Sequence, residues 1–225
     1  MNSYITEEQQ IETLKKYWKE YGFSIVLGII LAIVVGSGWR FYQKYKTQKS
    51  EQASLIYERV MIDLVNNQND DAKQQANHLI QQFSGTPYAK LAALTLAKQA
   101  VNQNKLDKAI DSLHWVVNHA SNRALKQIAK IRLSRIYIQQ NKAEQALKTL
   151  TTINAKSYKG LVLETQGDAY LKLGQTNKAR DAYQAALKAT PNPEVMRPIL
   201  QMKLNNLPAN SQRQAAGHNN GTATT

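Results

Sequence analysis

The chain contains no cysteine among its 225 residues. Without thiols it can form no disulfide bond, use no thiolate as a nucleophile or metal ligand, and carry no lipid on an N-terminal cysteine. Both reducing and oxidising compartments hold cysteine-free proteins, so this absence leaves the compartment open. It does exclude disulfide bonds as a source of stability and thiol chemistry as a source of function.

Residues arranged for catalysis are also missing. Of the four histidines, His114 and His119 would lie about 140° apart on a helix, so one metal ion could not easily bind both. No HExxH, phosphate-binding loop, GxSxG or dinucleotide-binding glycine pattern occurs. Glu164 and Asp168 have the i,i+4 spacing of an ordinary helix surface. We therefore predict no enzyme activity, no catalytic residue, no cofactor, no metal site and no small-molecule substrate.

Acidic residues are scarce, with 16 Asp and Glu against 29 Lys and Arg, which leaves a net charge of +13. The excess is concentrated in residues 121–160, where only Glu144 accompanies nine basic residues: Arg123, Lys126, Lys130, Arg132, Arg135, Lys142, Lys148, Lys156 and Lys159. The aromatic platforms and motifs of nucleic-acid modules are absent, so we predict no nucleic-acid partner. This basic region is interpreted as a solvated face, with an acidic protein surface or anionic lipid as alternatives.

Residues 21–39, YGFSIVLGIILAIVVGSGW, carry no charge. As a helix they would span about 28 Å, close to the hydrocarbon thickness of a bilayer. Aromatic residues flank both ends, among them Trp18 and Trp39, as they do at membrane interfaces. A cleavable signal peptide is the alternative, but the preceding segment carries four glutamates and the bulky run WRFYQKY follows. We predict an uncleaved transmembrane helix over 21–39, preceded by a short amphipathic helix over 1–20.

Small residues recur every fourth position within this apolar helix, at Ser24, Gly28, Ala32 and Gly36. Such a stripe lets two membrane helices approach closely and pack backbone against backbone. Small residues are also common in membrane helices without a partner, so two interpretations stand. The first predicts that the stripe packs against another membrane helix.

Residues 40–204 show internal similarity, which is clearest in the 34-residue unit 160–193. This unit matches the tetratricopeptide pattern at Leu163, Gly167, Tyr170, Ala179, Tyr183, Ala186 and Pro191. Earlier copies cover about residues 51–86, 90–121 and 127–159, and they place Ala109 and Ala146 where the last copy has Ala179. We predict an all-α protein in which the transmembrane helix precedes a tetratricopeptide-like α-solenoid. A short helix is expected after Pro198, followed by a disordered tail over 205–225.

Repeats of this type stack into a curved solenoid whose first helices line the concave side. In this frame six residues face the groove: Leu94, Lys98, Ile131, Arg135, Glu164 and Asp168. An apolar groove with a few charges suits an extended or helical peptide, so we predict that it binds protein. Core packing between repeats explains the apolar members equally well.

The opening block TEEQQIETLKKYWKEYG, the apolar helix and the following GWRFYQKYKTQKSEQASLIYERV resemble the YfgM-type ancillary subunits of the bacterial SecYEG translocon. The segment TPYAKLAALTLAK is similar as well, and the resemblance covers about residues 4–204. It implies a single-pass protein of the bacterial inner membrane with a cytoplasmic N-terminus and a periplasmic repeat domain. It further implies two partners, the SecYEG translocon and a PpiD-like membrane-anchored chaperone, and a role in handling proteins that emerge from the channel.

The charges beside the apolar helix favour the opposite orientation. Lys15, Lys16 and Lys19 precede it, whereas four basic residues follow: Arg40, Lys44, Lys46 and Lys49. The positive-inside rule would keep the C-terminal side in the cytoplasm. We nevertheless predict the orientation of the family, since long domains translocate largely regardless of flanking charge. The alternative is a cytoplasm-facing, membrane-tethered scaffold or regulator that binds other proteins.

Overall fold

The computed structural model describes residues 7–154, 156–189 and 193–208. Within these ranges the chain is helical between short turns and contains no strand, which confirms the predicted all-α class. A single 3-10 turn, Lys156–Tyr158, precedes the seventh helix. The helices are α1 (Glu7–Val65), α2 (Asn69–Gln82), α3 (Pro87–Asn102), α4 (Leu106–His119), α5 (Arg123–Gln139), α6 (Ala143–Thr151), α7 (Lys159–Lys172), α8 (Thr176–Ala189) and α9 (Pro193–Asn205).

The chain divides into two units, residues 1–52 and 53–225. Helix α1 is long and apolar enough over Ile11–Val65 to cross a membrane, and only 6% of its most apolar window is buried. That exposure distinguishes it from the core helix of a water-soluble domain, whose apolar residues would be covered. The predicted span 21–39 lies within α1, whereas the first six residues of the predicted segment 1–20 lie outside the described residues.

One type of turn ends the first helix of every pair in the second unit. A residue with positive φ follows the helix each time: Asn67 (60°), Asn104 (56°), Asn141 (63°) and Gly174 (73°). The next amide then donates a hydrogen bond back across the turn, from Gln68 to Asp63 (2.7 Å), Lys105 to Ala100 (2.8 Å), Lys142 to Tyr137 (2.8 Å) and Gln175 to Tyr170 (2.9 Å). This is the Schellman end of a helix, where glycine and asparagine tolerate the left-handed conformation best.

These four turns define four helix pairs, at intervals of 37, 37 and 33 residues. Five residues after each turn residue stands a fully buried alanine: Ala72, Ala109, Ala146 and Ala179. An alanine leaves room for the second helix to approach the first closely. The first pair, made by the end of α1 and α2, therefore follows the same geometry as the other three.

Side-chain volumes are complementary within each pair. The buried residues seven before and nine after the turn residue are Val60 and Ala76, Ala97 and Leu113, Ser134 and Leu150, and Gly167 and Tyr183. The largest first residue, Val60, faces the smallest second residue, and the smallest first residue, Gly167, faces the largest, as close packing requires. The last combination is the tightest, because a Cβ atom built on Gly167 would lie 2.5 Å from Cδ1 of Tyr183.

Helix α9 closes the C-terminal end of the repeats. The sequence analysis predicted that this helix starts after Pro198. In the structure the helix starts at Pro193, and Pro198 lies inside it. An internal proline costs one backbone hydrogen bond. Burial of Leu200 and Leu207 against α7 and α8 offsets that cost. Leu207 belongs to the predicted tail 205–225, so packing continues into that segment, and residues 209–225 lie outside the described residues.

Candidate protein-binding groove

The first helices of successive pairs are not equally spaced. Helix α5 packs directly against α7, whereas a cleft of about 430 Å³ lies between α3 and α5. Its lining consists of Leu94, Ala97, Lys98, Val101, Asn102, Leu113, Arg132, Arg135, Ile136 and Gln139. Buried apolar side chains form the floor, and exposed basic and amide side chains form the rim. We call this feature the α3–α5 cleft.

Three of the six residues predicted for the groove lie in the α3–α5 cleft. Leu94 belongs to the floor and is 8% exposed, while Lys98 and Arg135 are exposed on the rim. Ile131 is 4% exposed and is not part of the lining. The lining residues of α5 instead include Arg132 and Ile136, which the sequence analysis did not assign to the groove. The face of α5 that borders the cleft is thus displaced by one residue from the face that the repeat pattern indicates.

The other two predicted groove residues, Glu164 and Asp168, bind a lysine of the same chain. Lys203 of α9 donates to Oε1 of Glu164 at 2.8 Å and to both carboxylate oxygens of Asp168 at 2.7 and 2.8 Å. The Tyr183 hydroxyl donates to Oδ1 of Asp168 at 2.7 Å. Two carboxylates that looked available for a ligand are therefore engaged within the fold. We call these four residues the α7–α9 ion cluster.

Burial strengthens the interactions of this cluster. The Glu164 side chain is only 6% exposed, against 24% for Lys203 and 28% for Asp168. Burial, the hydrogen bond to Asp168 and the negative charges of Asp168 and Glu164 all raise the pKa of Tyr183. The hydroxyl therefore remains protonated at neutral pH and continues to act as a donor.

Arg135 connects the α3–α5 cleft to the ion cluster. Its Nη2 lies 3.6 Å from Oε2 of Glu164, and that oxygen accepts no hydrogen bond within the described part of the chain. A separation of 3.6 Å is an ion pair without a good hydrogen bond. Because 47% of the Arg135 side chain is exposed, the guanidinium remains accessible from the cleft.

The small-residue stripe of α1 is fully accessible. Ser24, Gly28, Ala32 and Gly36 are all exposed, and a Cβ atom added at Gly28 or Gly36 would meet nothing within 4 Å. The aromatic side chains near both ends of the apolar segment are exposed too, with Trp18 at 62% and Trp39 at 63%. An apolar helix with this exposure is suited to a lipid environment.

Comparison with known proteins places the whole chain in a family. A family model described as a tetratricopeptide repeat-like domain matches residues 15–209, which confirms the predicted repeat fold. A protein of Escherichia coli is 32% identical over 207 residues, covering 92% of this chain and 99% of its own length. Relatives from Haemophilus influenzae (29% identical, 90% and 98% covered) and Neisseria gonorrhoeae (26%, 92% and 100%) match equally fully. All three carry the name ancillary SecYEG translocon subunit.

The match includes α1 as well as the repeats, so the family resemblance noted in the sequence is confirmed. The apolar helix and the relatives' names together characterise a membrane-associated protein. By its family model and by identity along nearly its full length, this chain belongs to the ancillary SecYEG translocon subunit family.

Proposed function

We propose that this protein is a non-enzymatic accessory factor of protein translocation, held in the bacterial inner membrane by α1 and associated with the SecYEG translocon. The observation that carries the proposal is the 32% identity to the Escherichia coli ancillary SecYEG translocon subunit, which spans 99% of that relative. The aligned region spans nearly the whole chain and therefore includes α1, the helix that would contact the translocon in the membrane. A repeat domain whose first helices leave a cleft is, moreover, a common device for binding peptides.

The proposal divides the chain as the sequence analysis does, with a cytoplasmic N-terminus, a span over 21–39 and a periplasmic repeat domain. In that arrangement the groove holds a PpiD-like membrane-anchored chaperone or a chain emerging from the channel. The stripe of Ser24, Gly28, Ala32 and Gly36 serves as the packing surface for a translocon helix, because small residues permit close approach of helices in lipid.

The charges that flank α1 favour a second candidate function. More basic residues follow the span than precede it, and the positive-inside rule then keeps the repeat domain in the cytoplasm. In that orientation the protein is a membrane-tethered scaffold or regulator, and its basic face would meet anionic lipid.

Co-purification tests the proposed association with the translocon. When SecYEG is isolated in mild detergent, we expect this protein to be recovered with it. The Gly28→Leu/Gly36→Leu variant should be recovered at least fivefold less, since two leucines prevent close helix packing. Val34→Leu provides a matched control on the same helix. Absence of the wild-type protein from preparations that retain the other translocon subunits would contradict the proposal.

Cysteine labelling decides between the two orientations, and the cysteine-free sequence makes the background clean. Single cysteines are introduced as Ser3→Cys and Asn210→Cys, and intact spheroplasts are treated with a membrane-impermeant maleimide. Labelling only at position 210 is the expected result and places the repeat domain outside the cytoplasm. If only position 3 reacts, the positive-inside count is right and the cytoplasm-facing scaffold replaces the translocation factor.

A further inference from the structure

We propose that the α3–α5 cleft selects acidic polypeptide: it binds a short extended segment whose carboxylates pair with Lys98, Arg132 and Arg135 while an apolar side chain packs on Leu94 and Ile136. This deepens the proposed function, on which it rests, by specifying the chemistry of the segment that the repeat domain holds. The partner is therefore defined by alternating acidic and apolar side chains.

The charge of the cleft is the first observation. Its lining contains three cationic side chains and no acidic one. Within the described residues, Lys98 and Arg132 have no carboxylate within 4.0 Å, so their charges are not neutralised by the fold. Arg132 and Arg135 are three residues apart on α5 and thus project from neighbouring positions of one helix face. A concave wall with two unpaired positive charges, beside the partly paired Arg135, attracts anions and repels basic partners.

The α7–α9 ion cluster limits the acidic charge that reaches the cleft from the next repeat. Glu164 and Asp168 are the acidic residues of α7, and Lys203 pairs with both at 2.7–2.8 Å. Lys203 neutralises only one of the two negative charges, and Nη2 of Arg135 lies 3.6 Å from Oε2 of Glu164. Arg135 is therefore partly paired, and the unpaired positive charge of the cleft comes from Lys98 and Arg132.

The floor of the cleft explains why the partner is a polypeptide. Leu94, Ala97, Leu113 and Ile136 are each at most 8% exposed, yet together they border open space. Apolar floors with a few polar rim groups are typical of ligand sites, whereas single-stranded nucleic acid needs aromatic stacking platforms, which this lining lacks. Asn102 and Gln139 add amide groups that can hydrogen-bond to a peptide backbone.

The composition of the cleft suits an extended segment. A short extended peptide places alternate side chains on opposite faces, so that apolar residues can reach the floor while the acidic residues between them remain near the rim. The apolar floor and the cationic rim offer partners to both kinds of side chain.

The test uses the full chain in micelles of a non-ionic detergent and a fluorescein-labelled octapeptide of alternating glutamate and leucine. Its affinity is measured by fluorescence anisotropy. We expect saturable binding that weakens with added salt, and at least tenfold weaker binding of the peptide in which glutamine replaces glutamate. The Lys98→Glu/Arg132→Glu variant should bind the acidic peptide at least tenfold more weakly than the wild type does. It should bind the corresponding lysine–leucine peptide better than the wild type does.

Arg123→Glu/Lys148→Glu is the matched control, because it changes the net charge equally at exposed residues outside the cleft. An equal loss in this control would overturn the proposal in favour of unspecific charge attraction. Binding that is unchanged in Lys98→Glu/Arg132→Glu would overturn it too. If glycerol phosphate, the soluble headgroup of phosphatidylglycerol, displaces the peptide at concentrations at which sodium chloride of the same ionic strength does not, the cleft is a site for lipid headgroups and the proposal fails.

Peptide binding by the cleft and association with SecYEG can be tested independently of each other. We expect Lys98→Glu/Arg132→Glu to co-purify with SecYEG as the wild type does, since that contact is assigned to α1. Failure of the wild type to co-purify with SecYEG, with peptide binding intact, would refute only the translocon association. Normal co-purification without peptide binding would refute only the acidic selectivity of the cleft.

Discussion

Gly167→Ala should destabilise the last repeat by about 2 kcal/mol. The new Cβ atom would lie 2.5 Å from Cδ1 and 3.0 Å from Cζ of the Tyr183 ring. That ring is 1% exposed, and its hydroxyl is bound to Asp168, so it has little freedom to move aside. Overpacking of this kind costs about 1–3 kcal/mol, against which the better helix propensity of alanine restores at most about 1 kcal/mol.

Hydrogen–deuterium exchange in the full chain measures this effect where it arises, because repeat proteins open locally. The amides of α7 and α8 should exchange about thirtyfold faster in the variant, as expected for a loss of about 2 kcal/mol. Lys172→Ala is the control on the same helix, since Lys172 is exposed and alanine there overlaps no buried ring. Equal acceleration in both alanine variants would show that close packing on Tyr183 is not the cause.

A second-site change should reverse the loss. Gly167→Ala combined with Tyr183→Leu recreates the combination of Ala97 and Leu113, which the second helix pair buries successfully. We expect exchange in α7 and α8 to become slower than in Gly167→Ala alone, although Tyr183→Leu also removes the hydrogen bond to Asp168. Such a recovery would identify ring–backbone overlap as the origin of the effect.

Lys203→Met should loosen α9 and lower its local stability by about 2–3 kcal/mol. The substitution retains an apolar stem but leaves Glu164 and Asp168 without the cation that binds both. Breaking a fully buried ion pair costs about 3–5 kcal/mol. We expect less here because Lys203 and Asp168 are each about one-quarter exposed, so solvent screens part of the interaction.

The matched control is Lys188→Met, which removes an exposed lysine from α8. Exchange of the α9 amides should accelerate strongly in Lys203→Met and hardly at all in Lys188→Met. Glu164→Gln added to Lys203→Met should restore part of the protection, because it removes the negative charge of the more buried of the two carboxylates that lose Lys203. If Lys203→Met and Lys188→Met behave alike, the ion cluster contributes no stability.

The sequence allowed the helices and the repeat to be predicted because both follow local rules. The uncharged residues 21–39 meet the length requirement of a membrane span, and α1 contains them. Gly167 and Tyr183 were recognisable in the tetratricopeptide pattern. The first helix pair was harder to align, yet its signal was present: Asn67 precedes Ala72 by the interval that separates Asn104 from Ala109.

The groove was only partly predictable. Leu94, Lys98 and Arg135 line the α3–α5 cleft as the repeat pattern suggests, but Arg132 was missed and Ile131 lies outside the lining. A displacement of one residue on a helix turns the side chain by about 100°, which is enough to exchange a cleft residue for a buried one. The relative rotation of α3 and α5 depends on how α4 packs between them, and periodicity carries no information about it.

By itself the sequence determined that this protein is helical, that one helix can cross a membrane, and that the remainder repeats. Those properties depend on residues within a few turns of each other along the chain. Only the tertiary structure decided which charges are available to a ligand. Lys203 lies 39 residues from Glu164 and 35 from Asp168. No local pattern links residues so far apart. Folding brings them together because Leu200 of α9 and Leu207 just after it are buried against the last helix pair.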